Sequence, residues 1–443
     1  MDRRDFGTLL AGAIGAAAFS PFPFRPLAAQ DAPLSVDGRR LRRRLDEITR
    51  FGSTGDGGID RPAYGDADIA AREYVRTVMR EAGLEPSVDA AGNILGRRPG
   101  AESGLPPLMA GSHVDSVPNG GRFDGPLGVL AAVEAAQRLR EAGVETRHPL
   151  EIVVFSNEED GKVGSRALAG EVTAEELDRT TNSGYTIREG LERIGGDPER
   201  VTEIGRSRGD VAAFLELHPE QGAILVDDDL DIGVVQGIVG IKRWQVTITG
   251  EANHAGTTPM DQRSDALVAA ARFVDTVHRR ARSMEGRQVA TVGRISAHPG
   301  AANVIPGRVE HTLEIRDLEM AKIDRVFDLL RKEASRIAAE TGTEFEFAHY
   351  YTTHSAPTDP RLRDIVEEAA RSRDLSTLRM PSGAGHDAQS IAQFAPVGMV
   401  FVPSVGGISH SPDEFTRPED VVNGAEVVLG ALRAADGRDW SAA

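Results

Sequence analysis

Residues 111–125 read GSHVDSVPNGGRFDG, and their setting decides the fold. An apolar run, 105–110, leads into them, and a strongly helical stretch, 126–142, leaves them and stops at Gly143. A second apolar run follows at 150–156, Leu-Glu-Ile-Val-Val-Phe-Ser. Two apolar runs of strand length separated by one helix predict a parallel pair, and so an α/β sheet. A third run, 212–217, adds another strand. His113, Asp124, Glu159 and His218 all fall at or just after the carboxyl ends of these runs. In an open α/β sheet that edge is where ligands bind.

The residue types gathered there suit a two-metal hydrolase. His113, Asp124, Glu159, His218 and, far downstream, His410 are ligand types. Two divalent cations about 3.5–4 Å apart can share a water, lower its pKa and polarise the carbonyl it attacks. One carboxylate must then bridge both ions, and Asp124, in a glycine-flanked turn, has a side chain short enough to do so. Glu158, left over beside Glu159, is the candidate general base. Taken singly, each residue has a plainer reading. A lone His is more often a satisfied core or surface group, and a Glu-Glu pair is usually a solvated face. Convergence of four ligand types on successive strand ends outweighs those readings.

Further stretches extend the pattern: SNEEDG at 156–161, ELHPEQG at 216–222, ANHAGTTPM at 252–260, NVIPG at 303–307, EIRD at 314–317, GAGHDA at 383–388 and GISHSPDE at 407–414. In this order the chain resembles the hydantoinase/carbamoylase family of amidohydrolases, relatives of the di-zinc aminoacylases and exopeptidases. The resemblance implies that His113 and His218 hold one ion, Glu159 and His410 the other, and Asp124 both. It implies Glu158 as the proton carrier and Asp115 as the group that orients the His113 imidazole. His254 would reach the partner subunit's site and stabilise an oxyanion. Gln221, Asn303, Arg316 and the Gly385 backbone would touch substrate, with Arg316 gripping a carboxylate at two points. An ion pair between Arg316 and Glu314 or Asp317 is the competing reading. In one place the chain departs from the family. Asp160-Gly161-Lys162-Val163 runs straight into Gly164-Ser165-Arg166, so the loop beside the pocket is shorter and lacks an aromatic residue.

Composition bounds the rest. A length of 443 residues with 40 % apolar content suggests two or three domains with real cores. The net charge of −17 argues against a nucleic-acid partner. There is no Cys, so any metal rests on imidazole and carboxylate, a set that suits zinc, manganese, cobalt or nickel. At the N-terminus Asp2-Arg3-Arg4-Asp5-Phe6 precedes the apolar run 9–19, and Leu27-Ala28-Ala29 offers a cleavage site. Residues 1–29 are therefore read as a twin-arginine-type signal, which predicts a periplasmic or secreted protein with no membrane span in its mature form. An ordinary signal peptide or an uncleaved anchor is the alternative.

The chain divides by pattern. Stretches 35–51 and 66–83 read as amphipathic helices, the second with Asp66 as N-cap and Gly83 as C-cap. Between 238 and 352 the order changes: a strand at 243–249, a helix at 264–284, strands at 288–295 and 309–316, a helix at 323–340 and a strand at 344–350. That is β-α-β-β-α-β, a ferredoxin-like order. The expected layout is a catalytic domain in two parts, 35–237 and 353–438, interrupted by an inserted lid. The second part holds a helix at 360–371, a strand at 396–403 and a helix at 418–434. The pattern gives α/β with an inserted ferredoxin-like α+β lid, and the resemblance implies that the catalytic domain is di-metal exopeptidase-like. The resemblance implies that the lid also joins a homodimer.

The expected reaction is hydrolysis of a linear, non-peptide C–N bond in a small carbamoyl or ureido acid. N-carbamoyl-L-amino acids come first, giving amino acid, carbon dioxide and ammonia; allantoate and ureidoglycolate come next. A dipeptidase or aminoacylase is disfavoured, because that branch follows the bridging Asp with Lys-Gly, whereas here Asp124 precedes Gly125-Pro126. An inactive solute-binding relative is disfavoured by the complete ligand set and Glu158.

Overall fold

The computed structural model describes residues 34–440, so the signal reading of residues 1–29 lies outside the described residues. The first half supplies β1 (Glu85–Val88), β2 (Ile94–Arg98), β3 (Leu108–His113), β4 (Leu150–Phe155), β5 (Ala213–Pro219) and β6 (Ile232–Ile238). Residues of β3, β4 and β5 are buried throughout. Strands covered on both faces read as continuous apolar runs, which is why these three were legible as a block. β3 is parallel to both β4 and β5. The crossover from β3 to β4 is the helix Pro126–Glu141, apolar almost all round and buried accordingly. The helix Asp66–Glu81 is capped differently from its sequence reading: Gly65 is the N-cap and Ala82 the C-cap. Asp66 instead supplies charge to the first turn, while Gly83 takes the left-handed position one residue past the end, at φ 82°.

The chain then leaves this sheet and builds another. Its strands are β7 (Gly240–Thr249), β9 (Val289–Thr291), β10 (Ile295–His298), β12 (Arg308–Asp317) and β13 (Glu344–Thr353), with a separate two-stranded ribbon of β8 (Asn253–His254) and β11 (Val304–Ile305). The spatial order β10-β12-β7-β13 is all antiparallel, with β9 also on β12. That is the ferredoxin-like arrangement, with the expected single strand at 288–295 split into β9 and β10. Every second residue of β12 is buried, and that face packs with Phe273 and Leu330 from the helices Ala266–Ser283 and Met320–Thr341.

The chain returns through β14 (Ala356–Pro357), β15 (Thr377–Ser382) and β16 (Val397–Val402). The first sheet runs β1-β2-β4-β3-β5-β16-β6-β14, with β15 also paired to β6. β16 lies parallel to β5, so β4, β3, β5 and β16 form a central parallel block. No helix among the described residues is long and apolar enough to cross a membrane.

Candidate active site

The carboxyl edge of that parallel block collects the ligand types. His113 is the last residue of β3, His218 lies near the end of β5, and Glu158 and Glu159 follow β4. Asp124 stands just before the helix Pro126–Glu141, and His410 lies in the loop after β16. Two groups of donor atoms result: His113, Asp124 and His218, and Asp124, Glu159 and His410. Asp124 belongs to both. Its Oδ1 lies 3.0 Å from His218 Nε2 and 3.5 Å from His113 Nε2, and its Oδ2 lies 3.4 Å from His410 Nε2. Glu159 Oε2 is 3.6 Å from the same His410 nitrogen.

Local structure sets the orientation of each imidazole. His113 Nδ1 lies 3.0 Å from the Asp115 carbonyl, and His218 Nδ1 lies 3.0 Å from the Pro219 carbonyl. A carbonyl only accepts, so each Nδ1 carries a proton; without an ion each Nε2 also holds one and donates to Asp124, and a bound ion would take the place of that proton. The Asp115 carboxylate is 3.7 Å from the His113 ring, too far for a hydrogen bond. It accepts instead from the backbone N–H groups of Glu158, at 3.3 Å, and Glu159, at 3.1 Å. Asp115 thus ties the β3 loop to the β4 loop, orienting His113 through its carbonyl and the Glu pair through its side chain. Gly125 makes room for the His113 ring. It adopts φ 82°, and a Cβ there would lie 2.5 Å from His113 Cε1. Four side-chain-bearing residues in left-handed conformation surround the centre: Asn157, Lys162, Gln221 and His410. Such backbone costs about 1–3 kcal/mol per residue and gathers at functional sites.

The electrostatics call for cations. Burial raises the Glu158 carboxyl above its ordinary range. Burial, then the charges of Asp124 and Glu158, raises Glu159 well above it. For Asp124, burial acts upward, but the charge of His218 and hydrogen bonds from three imidazoles hold it well below. For His113, burial acts downward, yet Asp124, Glu158 and Asp115 carry it well above. Buried carboxylates crowded on one another are unfavourable without counter-charge. Two sets of imidazole and carboxylate donors sharing one aspartate fit two divalent ions, and such ions would relieve the crowding.

The remaining sequence-read residues fall in three places. Gln221 joins the centre: its Nε2 donates to Asp124 Oδ2 at 2.7 Å and lies 3.2 Å from Ser409 Oγ. Arg316, on β12, reaches across to the first sheet's side, where Nη1 donates to the Gly383 carbonyl at 2.8 Å. It also pairs with Glu314 at 2.7 Å, the competing reading, so both contacts coexist. Gly385 and Glu158 line one cavity of 2070 Å³ between the two sheets. His254, on β8, and Asn303, just before β11, are exposed and belong to neither ligand group. His254 Nδ1 accepts from the N–H groups of Gly256 and Thr257 at 3.0 and 3.1 Å, which leaves its Nε2 as an outward donor.

Several supporting groups carry no signal in the sequence. Glu414 accepts from the N–H groups of Phe123 and Asp124 at 2.8 and 3.1 Å and from Ser409 at 3.0 Å, clamping the Asp124 turn to the His410 loop. Buried Glu216 accepts from Ser112 Oγ at 2.8 Å and from the Ala388 N–H at 3.0 Å. His386 packs edge-on against His218, ring centroids 4.4 Å apart, and its Nε2 lies 2.8 Å from Ser382 Oγ. Glu414, Glu216 and His386 stood inside the quoted stretches, but a carboxylate that holds backbone N–H groups 290 residues away leaves no spacing to read.

Comparison with known proteins identifies the family. The profile of Peptidase family M20/M25/M40 matches residues 109–434. An N-carbamoyl-L-amino acid amidohydrolase of Geobacillus stearothermophilus is 40 % identical over 398 residues, covering 89 % of this chain and 97 % of that one. A ureidoglycolate hydrolase of Arabidopsis thaliana is 36 % identical, covering 89 % of this chain and 86 % of its own. A crystal structure of an amidase of the hydantoinase/carbamoylase family from Burkholderia multivorans superposes with a TM-score of 0.85 at 39 % identity, covering 91 % of this chain and 99 % of that one.

Proposed function

From the premise that this chain belongs to the M20/M25/M40 peptidase family, among its hydantoinase/carbamoylase amidases, we propose that it hydrolyses N-carbamoyl-L-amino acids to the amino acid, carbon dioxide and ammonia. The observation that carries this is the pair of donor groups meeting at Asp124, with Glu158 beside them and left out of both. Two divalent cations held by His113, Asp124 and His218 and by Asp124, Glu159 and His410 would acidify a water and polarise the carbamoyl carbonyl.

The chain's own residues supply the rest. Glu158, 3.9 Å from His113 Nε2, takes the proton of the attacking water on a carboxylate oxygen. It returns that proton to the amino-acid nitrogen as the C–N bond breaks, and the carbamate released falls apart to carbon dioxide and ammonia. Asp115 holds the Glu158 N–H and so sets the direction of its carboxylate. Arg316, against the Gly383 carbonyl, offers its guanidinium to the substrate carboxylate. His254, with Nε2–H outward, donates to the developing oxyanion of a partner subunit, in a homodimer joined through the ferredoxin-like unit. Export through the twin-arginine-type N-terminus belongs to the same reading.

Ureidoglycolate and allantoate carry the same ureido group on a carboxylate acid and form the second reading, favoured by the ureidoglycolate hydrolase among the relatives. Ammonia release should be assayed with metal-reconstituted protein against carbamoyl amino acids, allantoate, ureidoglycolate and dipeptides. Turnover of carbamoyl amino acids that stops on chelation and returns with manganese, cobalt or zinc supports the proposal. Full activity in metal-free protein would refute the metal centre, and preference for dipeptides would refute the substrate class.

A further inference from the structure

The short loop after the Glu pair puts an amine into the cavity. Residues 158–162 close a single turn, the Lys162 N–H donating to the Glu158 carbonyl at 3.1 Å, and Lys162 adopts φ 54°. Both residues line the 2070 Å³ cavity. Lys162 Nζ donates to Gln389 Oε1 at 2.7 Å, and no carboxylate among the described residues forms an ion pair with it. Gln389 is held from the other side, its Nε2 donating to the His354 carbonyl at 2.8 Å. The ammonium is therefore half-buried and steered by a neutral amide; its charge is felt by Glu158, but no carboxylate among the described residues contacts it.

A second positive group lies close by. Arg243 and Arg316 share one acid, Glu314, at 2.6 and 2.7 Å, so this group of three keeps a net positive charge. Arg316 contacts the Gly383 carbonyl, while a Cβ on Gly385 would lie 3.5 Å from Lys162 Nζ. The two cationic groups thus meet opposite ends of one three-residue loop, whose end Cα atoms are at most about 7 Å apart. Two cationic groups at the ends of so short a loop can receive the two carboxylates of one small diacid.

The geometry points to Lys162 as a specificity-determining residue that receives a second acidic group, making the preferred substrate an N-carbamoyl-L-amino acid whose side chain itself ends in a carboxylate. This rests on the carbamoyl-hydrolase reading above, with Arg316 taking the α-carboxylate and Lys162 the distal one. A longer loop bearing an aromatic side chain would instead favour an apolar substituent.

The test compares N-carbamoyl-L-glutamate with N-carbamoyl-L-glutamine, which differ in charge and scarcely in shape, on the metal-loaded full chain. Wild type should favour the glutamate derivative at least about tenfold in kcat/KM, the scale of one hydrogen bond to a charged group, and mostly through KM. Lys162→Met should bring the ratio to one or below, and Lys162→Arg should keep most of it. A wild-type ratio of one or less overturns the inference without any variant, and so does a Lys162→Met protein of native circular dichroism that keeps the preference. If neither derivative nor N-carbamoyl-L-methionine is turned over, the hydrolase reading itself fails and the inference falls with it.

Discussion

Substituting Gly125 by Ala tests whether the His113 ring position governs the centre. The change has two separable effects. The first is backbone: at φ 82°, ψ −60° an L-residue sits in the rare, strained γ-turn region, at about 1–3 kcal/mol. The second is contact. The new methyl would lie 2.5 Å from Cε1 and Nδ1 of His113 and 2.7 Å from its carbonyl oxygen, where carbon contacts settle at about 3.5–4.0 Å. Relief requires about 1 Å of movement of an imidazole already held between the Asp115 carbonyl and Asp124. Overpacking of this kind costs about 1–3 kcal/mol, and a 1 Å misplacement of catalytic geometry costs about 10²-fold in rate. Gly143 is the control, because it has φ 67° with nothing within 4 Å of a Cβ, so Gly143→Ala carries a positive-φ cost without the contact. Both variants should be assayed for kcat/KM on a carbamoyl amino acid, for bound metal by plasma mass spectrometry, and for thermal unfolding. Gly125→Ala should lose about 10²-fold in activity and bind metal more weakly, whereas Gly143→Ala should change only the melting temperature. Equal behaviour of the two would refute the claim that the ring is confined by this turn.

Glu158→Gln should keep its metal content and lose about 10²–10⁴-fold in kcat, the usual worth of a general acid–base; near-native kcat would remove Glu158 from that role. Asp420, buried in the first turn of the helix Pro418–Asp436 with one carboxylate oxygen unpartnered, is pushed by burial from 3.8 up to about 6. The folded state therefore holds its proton more tightly than the unfolded chain, and the stability this brings is complete below pH 3.8 and lost as pH rises through about 6. Asp420→Asn cannot ionise, so from pH 4 to 7 wild type should lose about 1–3 kcal/mol relative to the variant in urea unfolding, and a pH-independent difference would contradict the burial argument. Replacing Arg3 and Arg4 by Lys should retain the protein in the cytoplasm, as fractionation would show; unchanged delivery points to the general secretory route. Light scattering should give a dimer, and a fully active monomer would exclude the cross-subunit role of His254.

Much of this was legible in the sequence because of where burial falls. β3, β4 and β5 are covered on both faces, so hydrophobicity alone marks them, and chemistry-bearing residues stand at or just after their carboxyl ends. The second sheet is covered on one face, and the alternation in β12 betrays it. β1 and β15 carry polar and half-exposed residues, and β14 spans two residues, so neither period nor composition announces them. The ligand residues were readable by type and position. Their supports were not: Glu414 and Glu216 act by accepting backbone N–H groups brought near only by the folded chain. Asp115 orients His113 through its backbone carbonyl, while its carboxylate turns to the backbone of the Glu pair, a split that residue type does not announce.

The placement of β16 governs the order in which the molecule can be assembled. It is the last strand made, yet it lies between β5 and β6, and it delivers the loop that bears His410. During synthesis β1 to β5 can pair, and His113, Asp124 and His218 can meet, while β6 still lacks the neighbour that joins it to β5. The ferredoxin-like unit, whose strands pair only with one another, can fold meanwhile. Closing the sheet then requires a contact across some 180 residues, a slow step of high sequence separation. Until it happens, the facing edges of β5 and β6 are open to wrong partners. The half of the centre formed by Asp124, Glu159 and His410 is completed by that same closure, so a chain that stalls before it would carry one donor group without the other.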